Sequence, residues 1–514
     1  MVSEGLSRES IEKRFRTNSG LTVGARFATA ALSLATIPVV VSRLGVGTFG
    51  TWESLFALAS LAAVFQVAIS GTLVWRISEA YGRGDAAEIR RLVRVGACGA
   101  WTVFLLVWPW TWLFSDAAVR FLRVSPDIEQ LVARMFPIVA GLVLLNGLIE
   151  ALEAVVSGCQ RTGLVNVVGA CAHALNYTAV IVLVLLGGGL WSLVVGQGIA
   201  FCVRFAGAWV ASRSSFGPVS LLPQLPRRTD VTMARYSGLL MVGSFAAALR
   251  DQTDKIVLAS LASPTWVGYY GIAVRLSTLV MEIIRFVYYP ILTAVGALNA
   301  MGDWEGIRKL YRQLMAVVSI VTGLIVVVVL GLADYLIVFW IGRPIPEVTP
   351  LLWWLMAGNA SAAMLTGPGT AICRGCGRPG IETAYLAVNL VLNLALTIGL
   401  VLLIGPIGTA IATGSTWALS SILFLFVLHS RVDLPASASR RAAYTTVVAG
   451  VFAGAVYWLS GLAGLPDGRA QAVWYCAALG SIGAIGYFGA LVSFRLMSVA
   501  DAVRGVRGLM RVAG

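Results

Sequence analysis

GDAAEIRRLVR, residues 84–94, returns as GDWEGIRKLYR at residues 302–312. Asp85, Ile89, Arg90, Arg91, Leu92 and Arg94 pair with Asp303, Ile307, Arg308, Lys309, Leu310 and Arg312. Several of these paired positions are charged, so shared hydrophobicity does not account for the match. The same offset, within one residue, recurs along the chain. Gly50 in VGTFG pairs with Gly268 in WVGYYG, and Gly158 to Gly163 (GCQRTG) pairs with Gly375 to Gly380 (GCGRPG). Asn176 pairs with Asn393, and LVLL at 183–186 recurs at 400–403. The chain is an internal duplication.

The duplicated unit is built for a membrane. Hydrophobic residues make up 58% of the chain, charged residues only 12%, and mean hydropathy is +0.85. A soluble domain holds about twice that charge. Fourteen apolar runs have spanning length: about 19–42, 50–75, 95–114, 131–156, 164–186, 190–212, 236–262, 268–293, 314–340, 350–372, 382–404, 407–428, 442–464 and 471–494. The predicted fold is an all-α integral membrane protein of 14 transmembrane helices. Two six-helix lobes, each with an even number of spans, are related by a pseudo-two-fold along the membrane normal, and two C-terminal helices are added.

The predicted organisation has a cytoplasmic N-terminal segment (1–17), an N-lobe (18–215, helices 1–6) and an inter-lobe linker (216–235). A C-lobe (236–430, helices 7–12), helices 13–14 (442–494) and an amphipathic cytoplasmic tail (495–514) follow. With both termini cytoplasmic, 26 of the 38 Lys and Arg fall in cytoplasmic segments, as the positive-inside rule requires. The net charge of +14 is thus read as topology, and no nucleic-acid partner is expected. The first 17 residues are polar and the first apolar run is long enough to span, which predicts no cleavable signal peptide.

Charge inside a span costs about 3 kcal/mol or more, so it faces protein or a watery cavity. Eight such residues stand out: Arg26, Arg250, Asp251, Asp254, Lys255, Arg275, Glu282 and Arg285. Five cations against three acids suggest a cavity that receives an anion. On helix 7, Arg250 with Asp254 and Asp251 with Lys255 have i,i+4 spacing and can close as structural ion pairs; on helix 8, Glu282 and Arg285 are three apart. Arg26 and Arg275 have no acid at i±3 or i±4 and are the better anion ligands. Arg250, Lys255 and Arg285 complete the candidate substrate-binding set. Asp251, Asp254 and Glu282 are the candidate ion-coupling acids, exchanging H⁺ or Na⁺.

Other polar residues read as structural. Arg161 and Arg378 in the tight glycine loops are expected to reach lipid headgroups. Asn146, His173, Asn176, Asn359, Asn389 and Asn393 read as interhelical glue, and Glu150 and Glu153 as facing headgroup water. Trp108, Trp110, Trp112, Trp353 and Trp354 read as interfacial belts. Gly367-Pro368-Gly369 and Pro290 are expected to kink their helices. Seven scattered cysteines give no disulfide framework. The Cys373–Cys376 pair lacks the second pair or nearby His of a metal site.

Four passages resemble the polysaccharide-transport (Wzx-type) branch of the multidrug/oligosaccharidyl-lipid/polysaccharide superfamily. They are LGVGTFGTW (44–52); Asp254-Lys255 with Val267 to Tyr270 and Pro290; RGCGRPG (374–380) with Asn389 and Asn393; and GPIGTAIATG (405–414). The resemblance covers about residues 18–430. It implies a flippase that carries an undecaprenyl-diphosphate-linked oligosaccharide, an O-antigen, capsule or exopolysaccharide unit, across the bacterial inner membrane by alternating access. It also implies a central cavity among helices 1, 2, 7 and 8, no cofactor, and membrane lipids and polysaccharide polymerase machinery as partners. A lipid II flippase and a multidrug/cation antiporter of the same superfamily are the alternatives. A membrane polymerase is the different class: it needs catalytic residues in sizeable outside loops, and none is recognisable. No GxxxxGK[ST] motif is present, which argues against ATP hydrolysis in this chain.

Overall fold

The computed structural model describes residues 29–62, 64–225, 249–250, 252–378, 380–466 and 468–496, together with Gly24. All regular structure among them is helical. The first half runs α1 (Thr29–Leu44), α2 (Val46–Ala62), α3 (Val64–Gly82), α4 (Ala86–Leu113), α5 (Ser115–Phe121), α6 (Pro126–Gly158), α7 (Thr162–Leu185), α8 (Trp191–Ser215) and α9 (252–261). The second runs α10 (Pro264–Ala300), α11 (Trp304–Gly331), α12 (Ala333–Ile341), α13 (Val348–Ser361), a π-helical turn (Ala362–Thr366) and α14 (Gly367–Gly375). It closes with α15 (Gly380–Ile404), α16 (Ile407–Arg431), α17 (Ala436–Ala463) and α18 (Arg469–Ser493).

Eleven helices among the described residues are long and apolar enough to cross a membrane. They answer to expected spans 3–6 and 8–14. Expected span 1 is represented by the shorter α1, span 2 by α2–α3, and span 7 by α9. The chain is a multi-pass, all-α membrane protein.

The duplication is carried into the element bounds. Shifted by 218, Ala86–Leu113 lands on Trp304–Gly331. Both helices begin the same way. Asp85 accepts from the Glu88 backbone N–H at 2.9 Å, and Asp303 from the Gly306 N–H at 2.8 Å. Such an N-cap satisfies one of the donors left open at a helix start. Hydropathy places the starts of spans 3 and 9 at 95 and 314; the structure starts them at Ala86 and Trp304, more than two turns earlier, at these caps. It also ends span 9 at Gly331 rather than 340, where Leu332 joins a separate helix, α12.

The chain divides into two compact units, Met1–Gly268 and Tyr269–Gly514, and α10 passes from one to the other. Each has its own apolar core, in matching register. Ile89 and Val155 are buried in the first, and their counterparts Ile307 and Ile372 in the second. The paired glycine loops also match. Arg161 Nη1 donates to the Ser214 carbonyl at 3.4 Å, and Arg378 Nη1 to the Arg431 carbonyl at 3.0 Å. Both arginines therefore bond to the end of the neighbouring helix, where carbonyls are unsatisfied and the dipole favours a cation.

Helices α17 and α18, outside the repeat, dock on α11. The buried stripe Ala442, Thr445, Ala449, Ala453, Val456 and Ser460 of α17 faces inward. Tyr311 Oη and Ser439 Oγ lie 2.7 Å apart, and Tyr487 Oη donates to the Ile320 carbonyl at 3.3 Å. Small residues let the backbones approach, as packing between membrane helices requires.

The helix expected to kink at Gly367-Pro368-Gly369 changes its winding just before that point and stays helical through it. The π turn at Ala362–Thr366 precedes it, and Pro368 sits in the first turn of α14, where its missing N–H costs nothing. α10 also stays helical through Pro290.

Candidate functional site

Gly50 of α2 and Gly268 of α10, paired by the sequence repeat, are in contact. A Cβ on Gly50 would lie 2.6 Å from the Gly268 nitrogen, and one on Gly268 2.7 Å from Val46 Cγ1. Only two glycines allow this approach. One turn along α2 from Gly50 stands Glu53, and its carboxylate Oε2 accepts from Lys255 Nζ of α9 at 2.6 Å. Both side chains are largely buried, with 12% and 17% exposed. The partner of Lys255 thus comes from another helix. Its expected partner, Asp251, lies outside the described residues.

Glu53 is absent from the eight charges that the sequence singles out. Counting it sets five cations against four acids and halves the cation excess. Lys255 is committed to a carboxylate at charge-assisted distance. Asp254, beside it, is buried at 5% exposure, and Arg250 is half-buried; each is engaged by other groups.

On α10, Arg275 is exposed and Glu282 half-buried, two turns apart, and both are engaged by other groups. Ser277, between them, is buried and accepts from Asn359 Nδ2 of α13 at 3.1 Å. Arg26 lies outside the described residues, as does the side chain of Arg285. Of the residues singled out in sequence, the structure thus brings Lys255 onto Glu53 and carries Arg275 and Glu282 together on α10.

A second charged cluster lies between α6 and α8. Arg204 forks onto Glu153, Nε at 2.8 Å and Nη2 at 2.7 Å, while its Nη1 donates to Asn146 Oδ1 at 3.2 Å. Bidentate geometry is the strongest form of this pairing. Glu153 is buried at 9% exposure, so the expectation that it faces headgroup water is corrected. Glu150 is one turn earlier on the same face of α6, as i,i+3 spacing demands. Its Oε2 is buried with no hydrogen-bond donor among the described residues. Two carboxylates thus share one guanidinium in a low-dielectric setting. A proton or a small cation on Glu150 would balance the surplus. The signal is present in the sequence: two acids and an arginine inside apolar runs.

The asparagines expected to act as glue do so. Asn389 Nδ2 donates to Ser420 at 2.9 Å and Asn393 Nδ2 to Thr413 at 3.0 Å, both tying α15 to α16. Trp110 and Trp112 are exposed, as a belt requires, but Trp108 turns inward and donates to the Pro137 carbonyl at 2.9 Å.

Two known families match this chain. The family described as "Polysaccharide biosynthesis protein" matches residues 122–349, and MatE matches residues 24–182. A relative from Rhizobium meliloti (strain 1021), named "Probable multidrug resistance protein NorM", is 25% identical over 170 residues. That match covers 32% of this chain and 34% of the relative's length. Among solved structures, one titled "Lipid II flippase MurJ, inward closed conformation" has a TM-score of 0.69 at 14% identity, covering 92% of this chain and 99% of that one. An inward-facing multidrug resistance MATE family transporter has a TM-score of 0.65 at 14% identity, covering 79% and 94%. The chain shares its fold with these two solved structures. Each family match covers less than half of the chain, and together they run from residue 24 to residue 349.

Proposed function

We propose that this membrane protein is a flippase for a lipid-linked oligosaccharide, an undecaprenyl-diphosphate repeat unit of an O-antigen, capsule or exopolysaccharide. What carries this is the polysaccharide-biosynthesis match over residues 122–349, which includes every helix from α6 to α12. The protein then sits in a bacterial inner membrane with both termini cytoplasmic, beside polysaccharide polymerase machinery. Arg26, Arg250, Arg275 and Arg285 meet the diphosphate, since guanidinium forks match phosphate oxygens. Lys255 completes the set through its balance with Glu53. Asp251, Asp254 and Glu282 exchange H⁺ or Na⁺ as the cavity alternates.

A lipid II flippase is the second reading, favoured by the 99% coverage of the structure titled as one. One experiment separates the two. Depletion in the producing cell, with mass spectrometry of lipid-linked sugars, should show accumulation of a single undecaprenyl-diphosphate oligosaccharide. Accumulation of lipid II alone selects the second reading. No change in any lipid-linked sugar rejects both.

A further inference from the structure

Trp353 and Trp354, read from sequence as an interfacial belt, also line a cavity of about 660 Å³. Three elements build it. The short helix α12 follows α11 and is closed by Gly342, whose φ of 93° is the left-handed cap that glycine favours. Pro344, Ile345 and Pro346 lead into α13, and the last turn of α17 forms the facing wall. The wall is held in place by Tyr335. Its hydroxyl reaches the carbonyls of Ser460 and Gly464 at 2.8 and 2.6 Å, and its ring stacks on Tyr475 of α18 at 5.3 Å.

The lining combines flat rings with a carboxylate. Trp353 meets Tyr457 edge-to-face at 5.4 Å and 74°, and Trp354 is 42% exposed. Asp334 accepts from the Thr349 hydroxyl and lies on the same lining as Tyr457. A carboxylate offers about four lone-pair sites, so acceptor capacity remains. Rings whose edges and hydroxyls are already fixed offer a pre-set apolar face, and an oriented acid offers directional acceptors. Pockets of this size with a few placed polar groups suit small polar ligands. A sugar ring has what this lining lacks: C–H faces that pack on an aromatic plane and hydroxyl donors for a carboxylate.

We propose that this cavity is a carbohydrate subsite, with Trp354 packing against a pyranose face and Asp334 accepting from its hydroxyls. The proposal rests on the reading of the substrate as a lipid-linked glycan. With both termini cytoplasmic, the order of spans puts the α12–α13 junction at the outer surface, so the subsite meets the sugars after translocation. α17 and α18 then have a role: they complete a glycan-holding wall that the six-helix repeat cannot build alone.

The test uses the full chain, labelled with 5-fluorotryptophan and reconstituted in lipid nanodiscs, followed by fluorine NMR. Trp353→Phe and Trp354→Phe assign the two resonances. The probe is the water-soluble oligosaccharide released by mild acid from the lipid-linked glycans of the producing cell. Both resonances should shift saturably, and Asp334→Asn should weaken binding about tenfold, the loss of one charge-assisted hydrogen bond. Trp354→Ala, at an exposed position that leaves the packing intact, should abolish it. Silence of both resonances, or a shift unchanged by Asp334→Asn and Trp354→Ala, refutes the subsite. So does a response to tetraphenylphosphonium but not to the oligosaccharide, which would make the cavity an organic-cation site. Depletion keeps the two readings apart. If a lipid-linked glycan accumulates while the resonances stay silent, the subsite fails and the flippase stands. If no lipid-linked sugar accumulates but the oligosaccharide still binds, the flippase reading fails and the subsite stands.

Discussion

Replacing Gly50 by alanine tests the close approach of α2 and α10 directly. The added Cβ would fall against the Pro264 carbonyl, 2.6 Å from the Gly268 nitrogen and 2.7 Å from the Pro264 carbonyl carbon. Every atom it meets is backbone, so no side chain can rotate away. Ordinary contact begins at 3.4 Å, and the helices must part by about 0.8 Å or more, which forfeits a quarter to a half of the dispersion well at that surface. Overpacking of this kind costs about 3 kcal/mol at the upper end. Alanine returns about 1 kcal/mol of helix propensity, leaving a net loss of about 2 kcal/mol. Gly47→Ala is the internal control, one turn away. Its Cβ would meet only the Thr265 hydroxyl, at 3.1 Å, a side chain free to rotate. Its packing cost and propensity gain should cancel. For a unit the size of Met1–Gly268, about 2 kcal/mol corresponds to a Tm lower by about 4–8 °C. Thermal unfolding of the two variants in the same detergent should therefore diverge by that amount, with Gly47→Ala near the parent. Equal melting temperatures for Gly50→Ala and Gly47→Ala would mean the two glycines are not an obligate contact.

Other expected outcomes follow from the ion pairs and caps. Glu53→Gln strands the Lys255 ammonium and should cost about 3 kcal/mol, measured as loss of thermal stability; the swap Glu53→Lys with Lys255→Glu should restore most of it, and failure to do so would assign Lys255 to substrate rather than to Glu53. Arg204→Lys keeps the charge but loses the fork onto Glu153, and should lower stability by about 1–3 kcal/mol; a stability equal to the parent's would show the fork is not engaged. Asn389→Leu removes one interhelical hydrogen bond and should cost only about 0.6 kcal/mol; a loss above about 2 kcal/mol in thermal unfolding would contradict the glue role. Burial pushes the Cys376 thiol up, against the pull of Arg378. The thiolate is the reactive form, so iodoacetamide labelling of Cys376, read by peptide mass spectrometry, should still be rising at pH 9, and a plateau below that pH would contradict it.

The repeat is the most legible feature of the chain, because a duplicated loop carries charges that hydropathy alone does not explain. Helix ends are less so. Windows of apolar residues start spans 3 and 9 at 95 and 314 because they drop the charged first turns. Those turns are helical nonetheless. Asp85 and Asp303 cap them, and Arg91 reaches back to Glu88 with Nε and Nη2 both at 2.7 Å. Local charge patterning there extends a helix beyond its apolar span. The split of span 9 is hidden for the opposite reason. Residues 331–340 are almost continuously apolar, and nothing in their composition marks the Leu332 junction.

Sequence spacing leaves out the partners that come from other helices. A search at i±3 and i±4 finds partners on one helix, yet Lys255 bonds to Glu53 across 202 residues and Arg204 to Glu153 across 51. In a bundle, a buried charge is balanced by whichever helix faces it, and sequence spacing is blind to that face. The consequence is chemical. Lys255 is paired with an acid on another helix, so it meets a diphosphate as half of an ion pair and not as an isolated cation. Glu150 shows the reverse: its position near a span end suggests a headgroup residue, but its buried oxygen lacks a donor among the described residues while Arg204 is taken by Glu153. If acids drive alternation, an acid whose neutralising partner is already committed has more to gain from a proton than one held in a closed pair. Glu150→Gln should then change the dependence of transport on ΔpH while leaving stability near the parent's, because the amide removes the surplus charge without disturbing the Arg204 fork. Glu153→Gln, which breaks that fork, should lower stability first. The same ΔpH dependence in Glu150→Gln as in the parent, measured in proteoliposomes, would remove Glu150 from the coupling chemistry.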